Sequence, residues 1–230
     1  MKKIILIITG ALLGVIAILA IYTFAFEKTI PTNWANEQIE AIKASNISEI
    51  FDEHNMPSIT AAQSSAKYTK DGDKTVTTYD SKDDYKIKNT SANGNESYEV
   101  NWISYDEKGD VKENKLIKYY KEGDKFYKEE NGEKTEISDF NDLVFFYGIM
   151  FGTLYTNEGV LQPDVINAIN DNLEKVTQKG LYVTLYLVKD NVTGKITYSL
   201  SQKRICRFEV TTNTYTDNVL TGCENYWVEF

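Results

Sequence analysis

Adjacent carboxylates are the residues of this 230-residue chain best suited to acid–base chemistry. Asp83–Asp84 and Glu129–Glu130 stand side by side, whereas glycoside hydrolysis requires two carboxylates held on opposite sides of a sugar. Both pairs lie in highly charged segments, where neighbouring acids are usually solvated. We therefore predict no catalytic residues and do not expect an enzyme.

Metal and cofactor chemistry has little support in the residue types. The lone His54 follows Asp52–Glu53 at a predicted helix end, where a cationic imidazole would interact favourably with the helix dipole. One histidine and two cysteines cannot form a structural zinc site, and Asp71–Gly72–Asp73 lacks the spaced oxygens of a calcium loop. Because phosphate-binding, dinucleotide and serine-hydrolase motifs are also absent, we expect neither a metal nor a cofactor.

The two cysteines, Cys206 and Cys223, are arranged symmetrically about Thr214–Tyr215. A turn within residues 212–218 would pair two antiparallel strands and bring the thiols opposite each other. An oxidising compartment would allow a disulfide, worth about 3 kcal/mol for a loop of this size. The sequence therefore predicts a Cys206–Cys223 disulfide, with two unrelated buried thiols as the alternative.

The N-terminal segment has the composition of a membrane anchor. Residues 1–3 are Met–Lys–Lys, and residues 4–26 form an uncharged apolar run that, as a helix, would extend about 34 Å. A hydrocarbon core is about 30 Å thick, and basic residues favour the cytoplasmic side. We predict a cytoplasmic tail over residues 1–3, a transmembrane anchor over residues 4–26 and one extracytoplasmic domain over residues 27–230. Secretion after cleavage near Ala25 is the alternative.

Composition excludes two further classes of protein. The net charge is −9, and a nucleic-acid binder needs clustered basic residues to neutralise phosphates. The 16 tyrosines and 10 phenylalanines are too many for a disordered chain. We expect a folded domain at the cell membrane with no nucleic-acid partner.

Beyond about residue 65, the pattern predicts short antiparallel strands joined by charged turns. Glycine adopts the positive φ that tight hairpin turns require. Three predicted turns contain Gly72, Gly109 and Gly123. Asn191–Gly194 is predicted as another turn. The run 181–188 is apolar on both faces, which predicts a central strand covered on both sides of the sheet.

Three helices are predicted around these strands. The first follows Pro31, and the second begins after Ser138 and continues to Tyr155, apolar nearly all round. The third begins at Pro163 and ends at Gly180. Together, the elements predict an α+β fold in which a curved antiparallel sheet, a half-barrel, is covered by inserted helices.

The order of elements over residues 33–230 resembles the bacterial lipoprotein-carrier superfamily, which includes the chaperone LolA and the mycobacterial LppX and LprG lipoproteins. A tyrosine-rich strand with a charged glycine turn, Tyr119–Tyr127, is also similar. The resemblance implies a concave sheet and helices that enclose an apolar cavity for acyl chains. The chain differs from the mycobacterial members because it lacks a lipidated N-terminal cysteine.

We therefore predict a membrane-tethered module that binds a lipid or another hydrophobic ligand between sheet and helices. A methionine among large rings suits a variable apolar guest. The predicted lining residues are Tyr98, Val100, Trp102, Phe145, Phe146, Ile149, Met150 and Leu154. A structural or interaction protein of the cell envelope, with no small-molecule site, is the main alternative, and a hydrolase is the third hypothesis.

Overall fold

One antiparallel sheet accounts for most of the described part of the computed structural model. The structure describes residues 26–47, 56–92, 95–152, 154–156 and 158–230, without the side chains of residues 145, 146, 149 and 150. The strands are β1 (Lys28–Thr29), β2 (Ile59–Asp71), β3 (Lys74–Asn89), β4 (Ser97–Tyr105), β5 (Val111–Glu122), β6 (Lys125–Glu130), β7 (Glu133–Ile137), β8 (Leu173–Lys179), β9 (Tyr182–Lys189), β10 (Val192–Ser199), β11 (Arg204–Thr216) and β12 (Val219–Glu229).

Two meanders join to form this sheet. Strands β2 to β7 and strands β8 to β12 each follow one another through hairpins, and β12 pairs with β2. The short β1 lies at the far edge and pairs with β8, which gives the order β1-β8-β9-β10-β11-β12-β2-β3-β4-β5-β6-β7. The sheet is open, with β1 at one edge and β7 at the other.

Three helices lie within the described residues: α1 (Thr32–Lys43), α2 (Asn141–Gly152) and α3 (Pro163–Asn172). The last two are inserted between the two meanders, as the sequence predicts. The start of α2 is set by Asp139, whose carboxylate accepts a hydrogen bond from the Asn141 amide at 2.9 Å.

The predicted membrane anchor over residues 4–26 lies outside the described residues, apart from Phe26. Within the part of the chain that the structure describes, no helix combines the length and apolar character needed to cross a bilayer.

The hydrophobic core lies on one face of the sheet. Its centre is a row of directly paired, buried side chains that crosses six strands from β8 to β2, comprising Val176, Leu185, Ile196, Phe208, Val228 and Ala61. The period-two alternation of the strands places these residues on the same face, so neighbouring hairpins extend one continuous core.

The helices contribute to the same core. In α2, the Tyr147 hydroxyl donates to the Pro57 carbonyl, and the Phe151 ring meets the Phe230 ring edge-on at 4.8 Å between centroids. Ile169 of α3 is fully buried. This hydrogen bond and this ring contact hold α2 against the sheet near the C-terminus.

Two predictions about the second meander are wrong. The third helix ends at Asn172, and the segment predicted to continue it to Gly180 forms β8, which pairs with both β1 and β9. Gly180 has a φ of 59° and lies in the β8–β9 hairpin turn, not at a helix end. The run 181–188 buries only one face, because Tyr182 and Val188 on the other are exposed.

Candidate functional site

An apolar groove between α3 and strands β9, β10 and β11 is the candidate binding site. Its volume is about 280 Å³. The apolar side chains that line it, with one glycine, are Val165, Ala168, Leu187, Val188, Val192, Phe208, Val210 and Gly194. Asp164, Asn172 and Lys189 provide the remaining, polar part of the lining. Such a lining can accept a hydrocarbon chain but offers little to a strongly polar ligand.

Local structure explains why these residues converge. Pro163 occupies the start of α3, and Val165, Ala168 and Asn172 recur at helical spacing along one side of it. Ile169 points into the core and fixes the rotation of the helix. The helix therefore presents the apolar Val165 and Ala168, followed by the polar Asn172, beside the sheet.

The floor of the groove is a row of three paired positions on neighbouring strands, and the middle position is a glycine. Leu187 pairs with Gly194, and Gly194 pairs with Val210, so the three positions share one face of the sheet. A Cβ added to Gly194 would lie 3.5 Å from the Leu187 Cβ and 3.6 Å from its Cδ1, which is ordinary contact. Gly194 also has no left-handed φ.

Neither backbone conformation nor crowding therefore requires a glycine at residue 194. Glycine inside a strand is destabilising by about 0.5–1 kcal/mol relative to alanine. The glycine keeps the groove between Leu187 and Val210 open, because a larger side chain at residue 194 would fill it.

A polar surface adjoins the apolar groove through Val210, which lines both. This second depression, of about 300 Å³, is bordered mainly by polar residues, among them Gln63, Ser65, Ser81, Thr212 and Glu224. The apolar groove and the polar depression together place an apolar floor next to hydroxyl, amide and carboxylate groups. This arrangement suits an amphiphile, which has a hydrocarbon tail and a polar head group.

Next to this polar surface, Asp83 organises a hydrogen-bond network. Its carboxylate accepts from the Trp102 indole at 3.0 Å and from the Gln63 amide at 3.3 Å. The Trp102 ring stacks parallel to Tyr85, with 6.5 Å between centroids, and the Lys115 ammonium lies 4.9 Å from the Trp102 centroid. Trp102, a predicted lining residue, is thus engaged in this network.

The other predicted lining residues divide into two groups. Tyr98, Val100 and Leu154 are fully buried in the hydrophobic core, where the Tyr98 hydroxyl accepts a hydrogen bond from the Met56 amide at 3.2 Å. None of the three lines the groove beside α3. The side chains of Phe145, Phe146, Ile149 and Met150 lie outside the described residues, and only their helical backbone is described.

Helix α2, the predicted cavity wall, borders a separate groove of about 320 Å³. Its lining combines apolar residues of α2 with residues before and after it, namely Val144, Tyr147, Phe151, Ile47, Tyr155, Thr156, Glu158 and Gly159. Polar groups contribute a larger share of this lining than of the lining beside α3, so the groove beside α3 is better suited to a hydrocarbon chain.

The predicted disulfide is wrong in this structure, where both thiols are free. The β11–β12 turn is centred on Asp217–Asn218, whose φ values of 52° and 63° are those of a type I′ hairpin. This turn pairs Cys223 with Asn213, whereas the Cys206 carbonyl accepts from the Phe230 amide at 3.0 Å.

The two cysteines are consequently separated by seven residues of register, or about 23 Å along the strands. A disulfide requires Cα atoms within about 7 Å of each other. Burial raises the pKa of the Cys206 thiol, which disfavours its reactive thiolate.

The sequence-based interpretation missed Gly194 because it assigned Asn191–Gly194 to a turn. The turn lies one step earlier, where Asp190 has a φ of 51°, and Gly194 falls inside β10. A glycine between alternating strand residues is the signal that could have indicated a backbone depression.

Comparison with known proteins does not assign the site. Among the described residues, no group of three histidine, cysteine, aspartate or glutamate side chains could hold a metal ion. No protein-family model matches the sequence, and no curated protein is significantly similar to it.

Proposed function

We propose that the chain is a membrane-tethered, extracytoplasmic protein that binds the acyl chain of a lipid or a similar hydrophobic ligand. The ligand occupies the groove between α3 and strands β9 to β11. The observation that carries this proposal is the apolar floor of that groove, opened by Gly194 between Leu187 and Val210.

The proposed fold relationship is to the lipoprotein carriers, with the open sheet curved as a half-barrel around its helices. The insertion of α2 and α3 between two antiparallel meanders supports it, as does the pairing of β12 with β2 that joins the meanders. The ligand groove in this proposal lies beside α3 and not beneath α2.

The energetics favour a hydrocarbon tail over a charged ligand. Each methylene that moves from water into the groove gains about 0.8 kcal/mol. A charged head group gains nothing there, because burying it without a partner costs several kcal/mol. The head group therefore remains at the rim, where Lys189 and the polar surface around Thr212 are in reach.

Native mass spectrometry of the full chain, ejected from lipid nanodiscs, tests the proposal. We expect protein ions that retain one lipid after the nanodisc lipid has been stripped at rising collision energy. Protein that loses all lipid together with the nanodisc would contradict an acyl-chain site.

A further inference from the structure

We propose that the end of the domain formed by Phe26 and the β8–β9 turn lies on the lipid surface from which the chain emerges. This inference rests on the membrane tether in the proposed function but not on the groove beside α3. It assigns the surface of an anionic bilayer as the partner of this end of the sheet.

The first charged residue after the apolar run is fixed to the sheet. Glu27 Oε1 accepts hydrogen bonds from the Thr177 hydroxyl at 2.5 Å and from the Tyr186 hydroxyl at 2.6 Å. These two donors hold the pKa of the Glu27 carboxyl below its ordinary value. The chain is therefore attached to β8 and β9 directly where the apolar run ends.

Backbone pairing continues this attachment without a linker. Lys28 pairs with Gln178 and Thr29 with Thr177, and the Ile30 amide donates to the Val176 carbonyl at 3.2 Å. Continuing the antiparallel register by two residues brings Phe26 level with Gly180, in the β8–β9 turn. A chain that leaves a bilayer at Phe26 would hold this turn within a few residues' length of the lipid.

The end of the sheet near Phe26 has the composition of a membrane–water interface. Phe26, Leu181 and Tyr182 expose 57%, 47% and 51% of their surface. Aromatic side chains at the ends of membrane spans typically lie at the head-group level. Three large apolar groups next to the end of an apolar run therefore match a lipid surface better than bulk water.

Three basic residues lie on the segments that carry or adjoin these apolar groups. Lys28 and Lys179 lie on β1 and β8, and the β10–β11 turn contributes Lys203. That turn is held beside the β8–β9 turn because the Leu200 amide donates to the Leu181 carbonyl at 2.9 Å. Local cations attract anionic head groups, while the chain's net charge of −9 disfavours lying flat on them. Local attraction at this end and repulsion of the rest of the domain together favour an orientation in which only this end of the sheet contacts the bilayer.

Spin-label accessibility in the full chain tests this orientation. Leu181→Cys and, as a matched control at the opposite end of β9, Asn191→Cys are labelled in a background with Cys206→Ser and Cys223→Ser. The positions are about 30 Å apart along the strand. The protein is reconstituted into phosphatidylcholine–phosphatidylglycerol vesicles, and collisions with oxygen and with a water-soluble nickel chelate are compared.

We expect the ratio of oxygen to nickel collisions to be several-fold higher at residue 181 than at residue 191. Equal, water-like accessibility at both positions would overturn the inference while leaving the groove untouched. Protein that fails to sediment with the vesicles would overturn both the inference and the tether. Gly194→Leu, which is designed to block the groove, should leave the ratio unchanged, so the two proposals fail independently.

Discussion

Filling the floor of the groove with Gly194→Leu should weaken ligand binding strongly without unfolding the protein. The atoms nearest to the added Cβ belong to Leu187, at 3.5 Å and 3.6 Å, and to the Glu209 carbonyl, at 3.9 Å, so the backbone accepts it without strain. The rest of the leucine side chain projects into a space of about 280 Å³. Removing a strand glycine should maintain or raise the free energy of unfolding.

The expected loss of affinity follows from the volume that leucine occupies. Its four carbons displace about four methylenes of the ligand, each worth about 0.8 kcal/mol, for a loss of about 3 kcal/mol. This loss corresponds to an affinity about 150-fold weaker. Thr197→Leu is the matched control, since it places the same side chain on the opposite face of β10, where Thr197 pairs with Thr184 and Arg207 and none of the three lines the groove.

Photo-crosslinking to a diazirine-labelled fatty acid measures this effect in the full chain in vesicles. Labelled peptides identify the site, and the probe concentration at half-maximal yield reports the affinity. Crosslinks to α3 and to β9–β11 should occur in the wild type and in Thr197→Leu, and require about 150-fold more probe in Gly194→Leu. Equal yields at those peptides in all three proteins would refute the assignment of the groove.

Three other predictions concern stability and thiol chemistry. Glu27→Gln should lower the free energy of unfolding by about 1 kcal/mol at neutral pH, and the decrease is small because the site is exposed. The folded-state pKa of Glu27 is lowered, so the difference in unfolding free energy between wild type and variant should shrink as pH falls through that pKa, and a constant difference would contradict the contact. Tyr147→Phe should lose about 1–2 kcal/mol in urea unfolding, because the Pro57 carbonyl loses its donor; an unchanged midpoint would argue against that bond. Under non-reducing conditions, iodoacetamide should modify Cys223 faster than Cys206, whose pKa burial raises, and protein without adducts after denaturation would indicate a disulfide.

The hairpins of the first meander could be predicted from sequence because local chemistry determines them. Gly72, Gly109 and Gly123 have φ values of 60°, 87° and 63° and occupy the turns that the charged glycine segments predict. Period-two alternation also describes β5, in which Tyr119 is buried and Leu116, on the opposite face, is exposed. At these positions, turn residue type and period-two alternation are sufficient.

The second meander was harder to predict because pairing between strands decides it. Leu173–Lys179 continues the apolar spacing of α3, yet β1 and β9 pair with it on both sides and make it a strand. Likewise, the Asp217–Asn218 turn sets the register that separates Cys206 from Cys223. A single sequence contains no record of such long-range partners, so the symmetric spacing of the cysteines indicated a wrong turn centre.

The candidate groove could not be predicted for a related reason. It depends on the alignment of Leu187, Gly194 and Val210 across three strands and on the rotation of α3, which Ile169 fixes. The apolar α2, which is conspicuous in the sequence, instead supplies Leu143, Tyr147 and Phe151 to the buried core. Hydrophobicity along the chain identified core residues more readily than an exposed depression.

The most direct measurement is the position of a bound acyl chain. Crystals of the full chain grown from a lipidic mesophase with a terminally brominated fatty acid would give anomalous density for the bromine. We predict a peak between Ala168 of α3 and Gly194 of β10, with the carboxylate at the groove rim. An empty groove, with bromine bound only beside α2 or not at all, would contradict the account.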